Sequence, residues 1–278
     1  MTEIGDSNTG LTIEVPGGSP IVVAWAAGSN VGRRRAANED SFVAKPPIFA
    51  VADGMGGHSA GDVASAAVVT RLAELATTPF LDPLEIDHAL QRATDDITLE
   101  GETEFGIGTT VTGAALTIHE GEAYFAVFNI GDSRVYLFDQ NELSQVTIDH
   151  SVVQELVDAG QLTRDEAEHH PDSNIITRAV GFGVAPSTDI WLIPARPGLR
   201  LLVCSDGLTK EVSDERIRLH LAAGLTPVET SSALIDAALA AGGRDNITTI
   251  VVDVLEVVSG DELEGGIEDT APRSRRLA

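Results

Sequence analysis

Residues 109–138 read TTVTGAALTIHEGEAYFAVFNIGDSRVYLF, and this stretch decides the fold class. It contains three strand-like runs, 109–118, 123–129 and 134–138, which are rich in β-branched and aromatic side chains. Only four residues separate each run from the next. Since parallel strands need a long crossover, separators this short favour hairpins and antiparallel pairing. The sequence therefore predicts a largely antiparallel sheet.

Further strands and several helices surround this stretch. Three segments place a capping residue three positions before a Glu, as at a helix N-terminus: 82–85, 163–166 and 226–229. Apolar side chains also recur at helical spacing over 63–76 and 234–241. The other strand-like runs are 21–26, 48–52, 190–193, 199–204 and 248–255. Because strands and helices do not alternate strictly, the predicted class is α+β, with helices packed on largely antiparallel sheet.

Composition excludes several classes of protein. The chain has 278 residues, of which 43% are hydrophobic, so it can bury a sizeable core. With 18 basic and 43 acidic residues its formal net charge is −25, and we expect no nucleic-acid partner. The single cysteine, Cys204, excludes a disulfide framework within the chain and any multi-cysteine metal site. A reducing compartment is the expected setting.

The chain is predicted to form one domain between two flexible ends. Residues 1–20 and 258–278 lack sustained periodicity, and we expect both to be flexible tails. The domain is expected over 21–257, since no linker there is long enough to separate two cores. The first twenty residues have no basic residue and no long apolar run, and no apolar stretch reaches the length of a membrane span. We therefore expect the protein to be cytoplasmic, with no membrane contact. We also expect a monomer.

Acidic residues recur where apolar strands meet loops. Four aspartates share this position: Asp53, Asp132, Asp206 and Asp245. Glu39 precedes another strand-like run. Carboxylate oxygens are the ligands that Mg²⁺ and Mn²⁺ prefer. An aspartate before glycine or serine is also ordinary turn chemistry, so any one of them alone favours a turn; only their recurrence favours a metal site.

A basic cluster, Arg33-Arg34-Arg35, ends four residues before Glu39. A guanidinium beside a metal site could hold a phosphoryl group through paired hydrogen bonds. Three consecutive arginines are also typical of a solvated surface that balances nearby acids. The sequence leaves both interpretations open for this cluster.

The motifs, taken in order along the chain, resemble those of the metal-dependent PP2C-type (PPM) protein phosphatases, in the bacterial form. The matching segments are RAANEDS at 35–41, VADGMGGH at 51–58, GTT at 108–110, NIGDSR at 129–134, DHS at 149–151, CSDGL at 204–208 and GRDN at 243–246. They occur in family order and cover about residues 21–257. Seven motifs in sequence make coincidence improbable.

The resemblance implies an α-β-β-α sandwich of two mainly antiparallel sheets flanked by helices, with two Mn²⁺ or Mg²⁺ ions at one end. It assigns Asp53 as the bridging ligand and the carbonyl of Gly54 as a ligand of one ion. Asp206 and Asp245 match the ligands of the first ion, and Glu39 matches a residue that supports the second. Bacterial members often bind a third ion, for which Asp132 and Asp206 match the ligands.

The resemblance also implies a reaction and its partners. In the family, a metal-bridging hydroxide attacks phosphorus in line, while the cations and the arginine matching Arg35 neutralise the phosphoryl oxygens. The expected catalytic residues are thus Arg35 and Asp53. The expected substrates are phosphoserine and phosphothreonine proteins, in opposition to bacterial serine/threonine kinases. The alternative is a non-catalytic module of the same fold that binds metal and recognises phosphoproteins.

Two positions distinguish this chain within the resemblance. Animal members have a histidine directly after the Asp-Gly pair, proposed as the general acid, whereas this chain has Met55. His58 cannot be assumed to replace it, so the general acid stays unassigned. Residues 148–182 match the variable flap beside the active site of bacterial members, and we expect substrate selection there.

Overall fold

The computed structural model describes residues 1–56, 60–99, 106–182 and 187–256. Its strands are β1 (Glu3–Ile4), β2 (Asn8–Ile13), β3 (Ile21–Asn30), β4 (Asp40–Lys45), β5 (Ile48–Gly56), β6 (Ile107–Thr109), β7 (Val111–His119), β8 (Glu122–Ile130), β9 (Arg134–Asp139), β10 (Glu142–Gln145), β11 (Asp189–Pro194), β12 (Arg200–Cys204) and β13 (Ile247–Leu255). Its helices are α1 (Ala60–Ala73), α2 (Leu84–Leu99), α3 (Val152–Asp158), α4 (Arg164–Glu168), α5 (Asp206–Thr209), α6 (Asp214–Leu221) and α7 (Pro227–Ala241). Every strand-like run of the sequence falls on a strand, and every helix signal falls on a helix.

The strands form two sheets. The first has the order β1-β4-β5-β7-β8-β11, with β6 also paired to β5. The second has the order β10-β9-β12-β13-β3-β2. Neighbouring strands are antiparallel, except that β1 runs parallel to β4. This arrangement confirms the predicted α+β class.

Three apolar clusters divide the molecule into layers. The central one lies between the sheets, where Trp25 meets Phe49 edge to face with ring centroids 5.5 Å apart. A second cluster joins α1 and α2 to the first sheet, and a third joins α5, α6 and α7 to the second sheet. Alternate residues of the central strands face opposite clusters, as the period of a strand requires. The layers are helix, sheet, sheet, helix.

The hairpin prediction for 109–138 is correct for the first pair of strands and wrong for the second. β7 and β8 pair through a turn at Glu120 and Gly121, whose positive φ values of 52° and 84° suit a two-residue hairpin. β8 and β9 belong to different sheets. The chain crosses between them at Gly131, where φ is 111° and an added Cβ would lie 2.6 Å from Thr110 Cβ. Asp132 follows at this crossing.

The expectation of a flexible N-terminal tail is wrong. Residues 3–4 extend the first sheet as β1, and residues 8–13 extend the second as β2. The indole Nε1 of Trp25 donates to the carbonyl oxygens of Asp6, at 2.6 Å, and Ala44, at 3.1 Å, so it ties this segment down. These strands are held by backbone pairing, which does not require an apolar pattern. The composition of the segment therefore did not indicate strands. The other expected tail, 258–278, lies outside the described residues.

No helix in the described part of the chain is long and apolar enough to cross a membrane.

Candidate metal centre

The candidate residues lie at the ends of strands from both sheets. In the first sheet, Asp53 lies on β5 directly opposite Asp40 on β4, and Glu39 immediately precedes β4. In the second sheet, Asp206 begins α5 after β12, and Asp245 lies two residues before β13. Asp132 lies where the chain crosses from one sheet to the other. The fold thus brings carboxylates far apart in sequence to one end of the sandwich.

Asp53 is at the centre of this group. Its pKa is raised well above the usual value, first by burial and then by repulsion from four other aspartates: Asp40, Asp206, Asp132 and Asp245. Carboxylates affect one another in this way only at short range. The interaction brings together all four aspartates that the sequence singled out, and an isolated cluster of this kind favours bound cations.

Asp132 and Asp206 form a pair beside Lys210. Burial and the charge of Asp206 raise the pKa of Asp132 to about 7. Asp206 Oδ2 accepts a hydrogen bond from Lys210 Nζ, one helical turn along the chain. Although burial disfavours its charge, Lys210 has a raised pKa because of Asp206. A cation therefore already lies against this pair of acids.

Arg35 contacts the other side of the group. Its Nη2 donates to Asp245 Oδ2 at 2.8 Å, and this hydrogen bond is the main cause of its raised pKa. Asp53 and Glu39 act on the same guanidinium. Burial raises the pKa of Glu39, and Arg35 opposes that effect. All six site residues predicted to act through side chains thus belong to one electrostatic cluster.

Gly54 lies where three backbone segments meet. A Cβ added there would be 2.1 Å from the Gly61 carbonyl oxygen and 2.6 Å from that of Glu39. The Gly54 N–H donates to the Glu39 oxygen at 3.2 Å. Only glycine permits this approach, which holds the start of α1 and the loop before β4 against β5.

Asn246 positions the loop that carries Arg35 and Glu39. Its Nδ2 donates to the carbonyl oxygens of Val31, at 2.9 Å, and Ala37, at 3.0 Å. Its Oδ1 accepts the Glu39 N–H at 2.9 Å. One buried amide therefore fixes the β3–β4 loop to the start of β13.

Asp40 was not predicted as a site residue. Its side chain is fully buried, and its Oδ2 accepts hydrogen bonds from Ser205 at 2.9 Å and Thr248 at 2.6 Å. Burial raises its pKa to about 7 despite these bonds, with further contributions from Asp206 and Asp245. The only sequence signal was its place after Glu39, which does not distinguish a buried carboxylate from a turn residue.

The carboxylates fit a divalent cation by their chemistry. Asp206 Oδ1 is buried and has no hydrogen-bond partner. Its neighbours are acids of the same charge, which cannot satisfy it unless they are protonated. Within the described ranges, no group of three or more acidic, histidine or cysteine side chains is already arranged closely enough to hold a metal ion. Instead, Arg35 pairs with an oxygen of Asp245, and Lys210 pairs with an oxygen of Asp206. Divalent cations among these carboxylates would relieve both the mutual repulsion and the orphaned oxygen.

Both ends of the segment 148–182 are anchored beside this cluster. His150 Nδ1 accepts the Gly131 N–H at 3.1 Å, so its Nε2 carries the proton and donates to Asp189 Oδ2 at 3.0 Å. Arg178 donates to Asp189 Oδ1, also at 3.0 Å. Although burial opposes it, these bonds lower the pKa of Asp189. The start of the segment therefore contacts Gly131, the residue before Asp132. Its start and its end both bind the carboxylate of Asp189.

Comparison with known proteins decides the family. The protein phosphatase 2C family profile matches residues 27–241, most of the chain. The chain belongs to the protein phosphatase 2C family. It is 40% identical over 271 residues to the serine/threonine protein phosphatase PstP of Mycobacterium tuberculosis, covering 90% of this chain and 51% of that protein. The chain therefore spans about half the length of this relative.

Two further comparisons support the family assignment. The chain is 37% identical over 236 residues to the serine/threonine phosphatase stp of Listeria innocua, covering 80% of this chain and 92% of that protein. A crystal structure of the PstP catalytic domain in complex with two manganese ions matches with a TM-score of 0.75 and 39% identity. It covers 85% of this chain and all of that one. The layered sandwich described above is thus the protein phosphatase 2C fold.

Proposed function

We propose that this chain is a metal-dependent protein phosphatase that hydrolyses phosphoserine and phosphothreonine monoesters. The observation that carries the proposal is the convergence of carboxylates from both sheets around Asp53, whose pKa they raise together with burial. Half-buried acids that repel one another must either take up protons or bind cations, and divalent cations neutralise them at a pH where they would otherwise be charged. Its family members PstP and stp are named serine/threonine phosphatases, which supports this activity.

The proposed ligands of the metal ions follow the family pattern residue by residue. Asp53 would bridge two ions, and the Gly54 carbonyl would hold one of them. Asp206 and Asp245 would hold the first ion, and Glu39 would support the second. Asp132, with Asp206, would hold a third. We propose Mn²⁺ or Mg²⁺, supported by the manganese in the PstP catalytic domain and by an all-oxygen ligand set.

The chain's own residues would bind and orient the phosphoryl group. Bound divalent cations lower the pKa of water and neutralise phosphoryl oxygens. Arg35 can supply paired N–H donors to a phosphoryl oxygen, and its contact with Asp245 places it beside the carboxylates. Asn246 keeps Arg35 in that place through the carbonyls of its loop. No side chain is assigned as general acid, and Met55 offers no proton.

The proposed setting is bacterial signalling. We propose phosphorylated kinases and their substrates as partners, a monomeric state, and a cytoplasmic location. The single cysteine, Cys204, is buried and free, which suits a reducing compartment. We also propose that residues 148–182 form a flap that selects substrates, because one end is anchored at Gly131, next to Asp132, and the other end at Asp189.

The test is phosphate release from a phosphothreonine peptide by purified protein with Mn²⁺, with Mg²⁺ and with chelator. We expect release only with metal, and a loss of at least about 100-fold in Asp206→Asn, because a lost charge at a metal site removes most transition-state stabilisation. Asp236→Asn, an exposed aspartate on α7, is the matched control and should keep full activity. No release under any metal from folded protein would favour the non-catalytic phosphoprotein-binding module instead.

A further inference from the structure

Two exposed arginines beside the metal centre have no role in the proposed mechanism. Arg33 and Arg34 precede Arg35 on the β3–β4 loop. Neither side chain forms an ion pair or a hydrogen bond with any part of the chain that the structure describes. The chain has 43 acidic residues against 18 basic ones, so arginines have many possible partners. Among the described arginines without such a partner, these two are adjacent and directly precede Arg35.

The other cations around the centre are all engaged. Three ion pairs hold them: Arg35 with Asp245, Lys210 with Asp206, and Arg244 with Glu211. The Arg244 guanidinium also donates to the Lys210 carbonyl oxygen at 3.1 Å, so these cations lie on adjoining loops. Arg33 and Arg34 are therefore exposed positive groups on this loop that no acid in the described residues pairs with, whereas Arg35 is assigned to the phosphoryl group.

The loop that carries the two arginines is held in place. The Arg33 N–H donates to the Gly243 carbonyl oxygen at 2.6 Å. A Cβ added at Gly32 would lie 2.2 Å from the Asp245 carbonyl oxygen, so the two backbones are in close contact. Asn246 binds carbonyl groups on both sides of the three arginines. The guanidinium groups thus project from a fixed backbone that touches the loop of a proposed metal ligand.

We propose that Arg33 and Arg34 bind an anionic group that flanks the phosphorylated residue of the substrate, either a carboxylate or a second phosphate. Guanidinium groups bind both through paired, charge-assisted hydrogen bonds. The inference rests on the proposed phosphatase activity and deepens it by naming the substrate class. This site therefore selects phosphorylated segments that are acidic or carry a neighbouring phosphate.

The overall negative charge of the chain gives a local positive site a role in binding acidic substrates. A chain with net charge −25 repels acidic polypeptides over most of its surface. Positive groups placed at the entrance reverse the sign of that field where the substrate binds. Because the two arginines are exposed, each contact is weak and is screened by salt. Their effect should appear as a preference among substrates rather than as a requirement for hydrolysis.

The test uses four phosphothreonine peptides that differ only in the residues flanking the phosphate. One has neutral flanks, one has glutamates, one has a second phosphate on a neighbouring serine, and one has lysines. The flanking groups are placed on either side of the phosphothreonine in separate sets. The glutamate and phosphoserine peptides distinguish the two possible sources of the anion. kcat/KM is measured for each with Mn²⁺ at low and at high salt.

The variants are Arg33→Gln, Arg34→Gln and their double. The matched control is the double variant Arg196→Gln/Arg216→Gln, which removes two exposed arginines that also lack ion pairs in the described structure. Arg196 follows β11 at the end where Pro194 pairs with Tyr124, away from the Asp189 end near Asp132. Both double variants change the net charge equally.

We expect wild type to hydrolyse an anionic peptide about threefold to tenfold faster than the neutral one in kcat/KM, as two exposed ionic contacts permit. The Arg33/Arg34 double variant should lose this preference and keep the neutral rate, and high salt should do the same to wild type. The control should keep the preference. An equal fall for all four peptides, or no preference in wild type, would overturn the proposal. No release from any peptide would instead contradict the phosphatase activity itself.

Discussion

Asp40 Oδ2 on β4 accepts a 2.6 Å hydrogen bond from Thr248 Oγ1 on β13, and this bond joins the two sheets directly beside the metal centre. The other oxygen of the same carboxylate is buried and has no hydrogen-bond partner. Asp40 also lies opposite Asp53 on the neighbouring strand. The junction between the sheets therefore contains an ionisable group, and its pKa depends on the neighbouring proposed ligands Asp206 and Asp245.

The first prediction concerns the pH dependence of stability without metal. Asp40 and Asp132 have pKa values raised to about 7 in the folded chain. Unfolded aspartates release their protons near pH 4, at about 3.9. Between about pH 4 and 7 the folded state thus binds more protons than the unfolded state, so stability falls as pH rises.

The check is the urea midpoint in chelator at pH 5.5 and 7.5. We expect a lower midpoint at pH 7.5, a smaller difference in Asp40→Asn, and recovery at pH 7.5 when Mn²⁺ is added. The assigned pKa shifts would be contradicted if the urea midpoint in chelator rose from pH 5.5 to 7.5 by the same amount in wild type and in Asp40→Asn.

The second prediction concerns the contact at Gly54. Gly54→Ala places a Cβ 2.1 Å from the Gly61 carbonyl oxygen, so backbone must move at the centre of the site. We expect a loss of about 3 kcal/mol or more in the free energy of unfolding, because overpacking against backbone cannot be relieved by a rotamer change. Urea unfolding measures it. Gly10→Ala is the control, since its Cβ would meet Val22 Cγ1 at an ordinary 3.5 Å. Equal midpoints for both variants would refute the argument.

The third prediction concerns Asn246. Asn246→Ala leaves the carbonyl oxygens of Val31 and Ala37 and the Glu39 N–H without their partner. Because these groups are left unpaired, we expect the free energy of unfolding to fall by about 2–4 kcal/mol. Asn246→Asp keeps the acceptor for the Glu39 N–H but replaces both donors with a carboxylate oxygen that repels the carbonyl oxygens of Val31 and Ala37, so it should also unfold at a lower urea concentration than wild type. If Asn246→Ala unfolds at the wild-type urea concentration, Asn246 does not hold the loop.

The fourth prediction concerns the segment 148–182. Asp189→Asn weakens the bonds to His150 and Arg178 that tie both ends of the segment. We expect faster limited proteolysis between those two residues, with little change in the midpoint of global unfolding. Asp158→Asn, an exposed aspartate on α3, is the control. Unchanged cleavage in Asp189→Asn would show that the anchor does not restrain the segment.

Much of the fold could be predicted because its strands are apolar and β-branched. The runs at 48–52 and 248–255 became β5 and β13, which lie inside their sheets and are buried on both faces. β1 and β2 were missed because edge strands held by backbone pairing need no apolar pattern. The change of sheet between β8 and β9 was missed because a turn and a crossing share the same residues, Gly131 to Ser133.

The site residues followed from motif order, whereas their supports did not. Asp53 and Asp206 follow apolar runs and Asp245 precedes one, positions that the sequence displays. The roles of Asp40 and Lys210 depend on which loops meet in space, and spacing along the chain does not specify that. The residues alone did not show that these acids meet in one site. The resemblance to the family predicted it.

The central claim is that carboxylates from both sheets hold the metal ions on which phosphatase activity depends, and Asp53→Asn tests it most directly. Mn²⁺ binding is measured by calorimetry and phosphate release is measured on the same samples. The account predicts at least two bound ions and metal-dependent release in wild type, with loss of both in a folded Asp53→Asn protein. It also predicts a higher thermal midpoint for that variant in chelator at neutral pH, because asparagine needs neither to bury a charge nor to take up a proton on folding. Undiminished phosphate release by Asp53→Asn would contradict the account.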